Sequence, residues 1–211
     1  MTRRLTRRAL GAALAAAGVS CVCLTCVYAV TVSQPELLVR LEGDYLRVSA
    51  PRLDFLNGKA LERLKDGGSV AFIAQLTITS SPDSAVPDAR SVARFALSYD
   101  IWDEKFAVTR IGDKPESRRS VSHLSLQATE NWCLDNLAID GAQVSPDKQF
   151  YVQLDLRTED PRDQLGIVGD PGISIARLIE VFSRPVKSAQ PHWFLNNGPF
   201  RMADLRKGSR G

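Results

Sequence analysis

The chain of 211 residues predicts an α+β fold: an antiparallel, β-rich single domain of about five to seven strands, as a meander or sandwich, with two or three packed helices. Three observations predict it. Residues 94–110, RFALSYDIWDEKFAVTR, alternate apolar and polar positions on either side of Asp103-Glu104-Lys105, the period-2 signature of two half-buried strands joined by a turn. Residues 69–79 and 150–157 alternate in the same way. Between these runs lie short apolar stripes at helical spacing, which cannot stand alone and must pack onto the sheet.

The chain opens with Arg3, Arg4, Arg7 and Arg8, then runs without a charge from Ala9 to Val32. A cationic end before an apolar segment is the layout of an export signal or an N-terminal anchor. The small residue of Val27-Tyr28-Ala29 offers a cleavage point, while the length of the apolar run approaches the ~20 residues of a spanning helix. Both readings, over residues 1–32, put residues 33–205 outside the cytoplasm, on the periplasmic side, membrane-anchored or secreted. Cys21, Cys23 and Cys26 lack a good lipoprotein tripeptide before them, and Arg7-Arg8 resembles a twin-arginine signal only in its two adjacent arginines.

Beyond the leader, Leu46 and Val48, then Leu53 and Phe55, form two alternating pieces around Pro51, which lacks a ladder donor and marks an edge or bulge. Asn57 suits a helix N-cap, Ala60, Leu61 and Leu64 give an apolar face, and Gly67-Gly68 ends it. Ser69 to Thr79 is a strand whose second face, Ala71, Ile73, Gln75, Thr77 and Thr79, is mixed enough to imply partial cover by a helix. Ser80 to Asp88 reads as an exposed loop. In the central hairpin no Asn-Gly pair marks the turn, so a loop of about three to five residues is expected.

Gly112 to Arg119 is a charged loop; from Ser120 the pattern is ambiguous, Val121 and His123 fitting the start of a strand while Leu126, Trp132, Cys133 and Leu137 sit at helical spacing, and a helix is assigned from about Ser125 to Leu137. Gly141 to Asp147 is a turn before the strand beginning near Phe150. Glu159 to Gly172 is a long irregular stretch, of the kind that often carries function. Ser174 caps a helix bearing Ile175, Leu178, Ile179 and Phe182. Asn196-Asn197-Gly198, between His192-Trp193-Phe194-Leu195 and Phe200-Arg201-Met202, reads as a terminal hairpin, and 206–211 as a flexible polar tail.

Charge narrows the function. The formal charge of +3 arises in the leader, which holds four of the 27 basic residues and none of the 24 acidic ones; the remainder carries 23 against 24. No basic patch argues for nucleic acid. The exported part keeps one cysteine, Cys133, so an internal disulfide is excluded. Cys133 with His123 or His192 is the one available thiol and base pair, but Cys133 lies on an apolar helix face, where cysteine behaves as a small hydrophobe. There is no Gly-x-Ser-x-Gly elbow, and two distant histidines do not make a zinc site. Asp160, Asp163 and Asp170 are oxygen ligands without the spacing of a calcium loop. No cofactor or metal is implied.

Trp102 falls near the hairpin tip, either covered by a helix or part of a contact patch. With Asp160, Asp163 and Asp170 it forms the set of candidate partner contacts.

Leu61-x-x-Leu64-x-x-Gly67-Gly68-x-Val70-x-Phe72, Leu97-Ser98-Tyr99 with Phe106-x-Val108, and Leu154-Asp155-Leu156 resemble the motifs of a bacterial exported domain family of unknown function. The resemblance spans roughly Leu46 to Leu156, with departures at Ser80 to Asp88 and after Arg157. It implies an N-terminal signal or anchor followed by one β-rich domain, and brings no catalytic residues.

These readings converge on a non-catalytic, membrane-associated binding or accessory module of the bacterial cell envelope, held to the membrane by its N-terminal segment and meeting an envelope protein. One alternative is an exported hydrolase in which Asp160 or Asp163 converges with Asp100 or Asp103. Another is a lipid or small-molecule carrier with an enclosed apolar cavity.

Overall fold

A computed structural model describes residues 35–84, 86–111, 118–159, 182 and 190–208. All fall within one compact unit, Gln34–Gly211. The fold is α+β and antiparallel, with nine strands in two sheets among the described residues. The short strands β1 (Leu38–Glu42), β2 (Tyr45–Ser49) and β7 (Ala138–Asp140) make one sheet in the order β1-β2-β7. The larger sheet orders β6 (Arg119–Leu124), β5 (Lys105–Ile111), β4 (Ala89–Asp100), β3 (Val70–Thr79), β8 (Phe150–Thr158) and β9 (His192–Phe200) side by side. Strands β3, β4 and β5 are the expected meander, because consecutive strands tend to be neighbours, and β6 extends it by one strand.

The alternation in the sequence fixes which face of the large sheet is apolar. Phe72, Ala74 and Leu76 of β3, Phe95 and Leu97 of β4, and Leu154 and Leu156 of β8 are each no more than 1% exposed. Helix α1 (Gly58–Lys65), helix α2 (Leu126–Asp135) and the small sheet share this core, contributing Leu64, Cys133, Leu134, Leu46, Val48 and Ile139. Each fully buried Leu or Phe contributes roughly 1.5–3 kcal/mol. At the centre Phe55 meets Phe72 edge-on with centroids 5.0 Å apart, and both lie 6.2 Å from Trp193.

The segment at Leu53 and Phe55 corrects the expectation of a second half-strand after Pro51. Leu53 N donates to Ala50 O at 3.0 Å, turning the chain, while Leu53 and Phe55 are buried at 4% and 0% exposure. Its backbone is satisfied from α2 instead of a neighbouring strand: Leu56 N donates to Glu130 Oε1 at 2.7 Å. Helix α1 then begins after Asn57, whose side chain donates to Asp54 O rather than capping the helix. It ends at Gly67, whose φ of +80° favours glycine. Helix α2 begins where expected, and Ser125 caps it, its Oγ accepting from Ala128 N at 3.3 Å.

The expected terminal hairpin is one continuous strand, β9, paired with β8 along its length. Asn197 does not turn the chain. Its side chain donates to Leu37 O at 2.7 Å and accepts from Gly198 N at 2.8 Å. Gly198 sits where the β8/β9 register shifts, with φ of +144°, and a Cβ there would stand 2.8 Å from the Tyr151 ring. The glycine therefore signals a bulge and a close approach, not a turn. Helix α3 (Met202–Gly208) follows and includes Arg206 and Lys207, which the sequence assigns to the tail.

The second face of β3 is covered, as its mixed composition implies. Ile73 and Val92 are buried there, with Phe182 packed against them. Apart from Glu159 and Phe182, the Glu159 to Gly172 loop and the helix expected after Ser174 lie outside the described residues. No helix among the described residues is long and apolar enough to cross a membrane; residues 1–34 lie outside them.

Candidate functional site

Strands β4 and β5 pair from Arg94↔Ile111 to Asp100↔Lys105, leaving the four-residue turn Ile101–Glu104. Asp100 builds this turn. Its Oδ1 accepts from Trp102 N at 2.9 Å and Asp103 N at 3.2 Å, the local side-chain bonding that makes Asp a turn residue. Below it, the Tyr99 and Phe106 rings pack 4.8 Å apart. The turn thus stands on a fixed base.

At its end Trp102 is 94% exposed and Ile101 57%. Ile101 shares the apolar phase of Phe95, Leu97 and Tyr99. The strand ends at Asp100, so Ile101 enters the turn, and its Cδ1 lies 3.7 Å from where a Cβ on Gly67 would stand. Of the two sequence readings of Trp102, cover by a helix fails, because its side chain stands exposed at the turn. Asp160, Asp163 and Asp170 lie outside the described residues.

Backbone strain gathers at the same end. Among the described residues, the non-glycine positions with left-handed backbone are Glu104, φ 53°, in the turn, and His123, φ 61°, in β6. His123 lies where the β5/β6 register shifts between Phe106 and Val108, and a bulge of this kind re-aims a side chain. The imidazole Nδ1 lies 2.9 Å from Ser122 Oγ, and Nε2 lies 3.6 Å from Asp103 Oδ2. Such conformations cost ~1–3 kcal/mol each and concentrate at functional sites.

A second polar group lies on the outer face of the large sheet. Arg157 donates through Nε and Nη2 to Asp155 Oδ1 and Oδ2 at 2.9 and 2.7 Å, and His192 Nε2 lies 3.0 Å from Asp155 Oδ1. The Arg157 guanidinium also sits 4.9 Å from the Phe182 ring centroid. Nearby on the same face, Arg94 bridges to Glu159 Oε2 from Nε at 2.8 Å and Nη2 at 2.6 Å, with side chains 4% and 9% exposed. The sequence did not single out these groups. Asp155 and Arg157 occupy the polar positions of an alternating strand, but their meeting with His192 depends on the β8/β9 register.

The chemistry of this outer group is limited. A His–Asp pair can move a proton, yet among the described residues no hydroxyl or thiol partners the other nitrogen of His192. Cys133 sits in the opposite core, where burial, with the nearby Glu130 charge adding to it, pushes its thiol up, far from a reactive thiolate. Asp100 spends a carboxylate oxygen on the turn, and Asp103 is 59% exposed. Among the described residues no three His, Cys, Asp or Glu side chains gather to hold a metal ion. A cleft of about 410 Å³ lies beside α3, with Asp44, Tyr45, Asp140 and Arg206 in its walls; one Asp140 oxygen is occupied by Ala142 N.

Comparison of the chain with protein-family models, curated proteins and solved structures finds no match.

Proposed function

We propose that the chain is a non-catalytic, membrane-associated binding or accessory module of the bacterial cell envelope that engages its partner through the β4–β5 turn. The observation carrying this reading is Trp102, 94% exposed on a turn fixed by the Asp100 carboxylate. A Trp side chain buries ~150–250 Å², so seating it in a socket supplies about 4–6 kcal/mol at 25 cal/mol/Å² before association costs. Because the turn is already ordered, little of that is lost to ordering. The cationic and apolar leader and the resemblance to an exported family support an envelope address.

The test is chemical crosslinking of the membrane-bound protein, then pull-down and N-terminal sequencing of the recovered chain. The reading expects a crosslinked partner with wild type that is lost with Trp102→Ala, and an N-terminus that is intact or begins after the leader. The same adducts from both proteins would refute docking through the turn. Recovery of the intact chain from soluble cytosol would refute the envelope address.

A further inference from the structure

Resting on that docking reading, we infer the chemistry of the partner: a protein presenting an apolar socket rimmed by Lys or Arg. The turn is an apolar knob, Ile101 and Trp102, set in an acidic collar. Asp100 lies opposite Lys105 in register and is engaged by the turn's own amides. Asp103 and Glu104 are exposed and have no cation from the turn itself to oppose them. Among the described residues, the basic group on Asp103 is the His123 imidazole, 3.6 Å away and itself 73% exposed.

The strain argues that the collar is selected for rather than incidental. A left-handed turn residue is held most cheaply by Gly or Asn, yet the position holds Glu104 at φ 53°. A second strained residue, His123, aims its ring at the other collar carboxylate. The chain thus keeps two acids at the place where an aromatic anchor meets its partner.

That charge decides among occupants. An anionic lipid surface would repel Asp103 and Glu104. A second copy docking turn to turn would bring like collars together. A socket with a cationic rim gains attraction at the encounter and leaves the Trp to supply burial, which is how a hot-spot anchor and its rim divide the work.

The test is selection of a phage-displayed random dodecapeptide library on the full-length chain, with counter-selection on Trp102→Ala. The chosen peptides are synthesised and their affinities measured by fluorescence anisotropy. The inference expects apolar sequences bearing Lys or Arg and lacking acids. Their binding should fall at least about 30-fold with Trp102→Ala. With Asp103→Asn/Glu104→Gln it should fall about 3- to 10-fold at low salt, a difference that shrinks by 0.5 M salt. Trp102-dependent peptides that are neutral or acidic would overturn the cationic partner while leaving the docking reading intact. If no Trp102-dependent peptide emerges and phosphatidylcholine vesicles shift the Trp102 emission to the blue, the occupant is lipid and the inference is wrong. If neither peptide nor vesicle engages Trp102, both it and the docking reading fall. Circular dichroism confirms that each variant folds.

Discussion

Arg94 and Glu159 make the most demanding energetic claim. Their side chains are 4% and 9% exposed, and both Arg94 contacts, at 2.8 and 2.6 Å, converge on one carboxylate oxygen. Replacing Glu159 by Gln would leave a guanidinium in the sheet's outer layer without its counter-charge, where water cannot solvate it. Breaking a buried pair from one side costs about 3–5 kcal/mol, a large share of the ~5–15 kcal/mol that stabilises a typical domain. Glu159→Gln should therefore lower the urea midpoint by roughly 1.5–2.5 M at a slope near 2 kcal/mol/M. The double variant Arg94→Met/Glu159→Leu removes both charges and should recover most of that loss, since an apolar replacement for a buried pair is often neutral or stabilising. Equilibrium urea denaturation of the three proteins checks it. A Glu159→Gln cost below about 1 kcal/mol would mean that water reaches Arg94, and the pair would be a surface bridge.

Phe55→Ala should cost about 3–5 kcal/mol by emptying the space between Phe72 and Trp193, read as a drop in thermal midpoint. Gly141→Ala should destabilise measurably in the same assay, because its Cβ would stand 2.9 Å from Asp44 O. Glu130 gives a pH dependence. Burial raises its pKa above 4.5, against the lowering effect of the Leu56 and Phe55 amides. Its folded pKa exceeds its unfolded one, so its contribution to stability is full below about pH 4.5 and is lost as pH rises through the folded value. Glu130→Gln, which keeps a carbonyl acceptor for Leu56 N, should show a flatter profile over that range in urea titrations at stepped pH.

The meander was legible because β3, β4 and β5 each carry apolar residues at every second position, and a period of two then leaves a single register. Helices α1 and α2 were legible for a similar local reason: apolar residues recur at helical spacing in both, although Asn57 does not cap α1 with its side chain. What escaped depended on distant partners. Phe55 looks like strand because it alternates with Leu53, yet the next backbone amide, Leu56 N, is held by a carboxylate 74 residues away. Asn196-Asn197-Gly198 has turn composition, but Asn197 is bound to Leu37 O across 160 residues. At the candidate site, the sequence located Trp102 at the hairpin tip and left its exposure open. The strain at His123 arises from a bulge in β5/β6 pairing, and no residue in its own segment announces it.

The central claim, that Trp102 is seated in a partner in the native envelope, is tested most directly by photo-crosslinking from that position. Full-length chains carrying p-benzoylphenylalanine at Trp102, or at Val86 as a 75% exposed control, are irradiated in intact cells and resolved on denaturing gels. A discrete adduct from position 102, absent from position 86, is the predicted result. No adduct at 102, or the same faint background from both positions, would contradict the account.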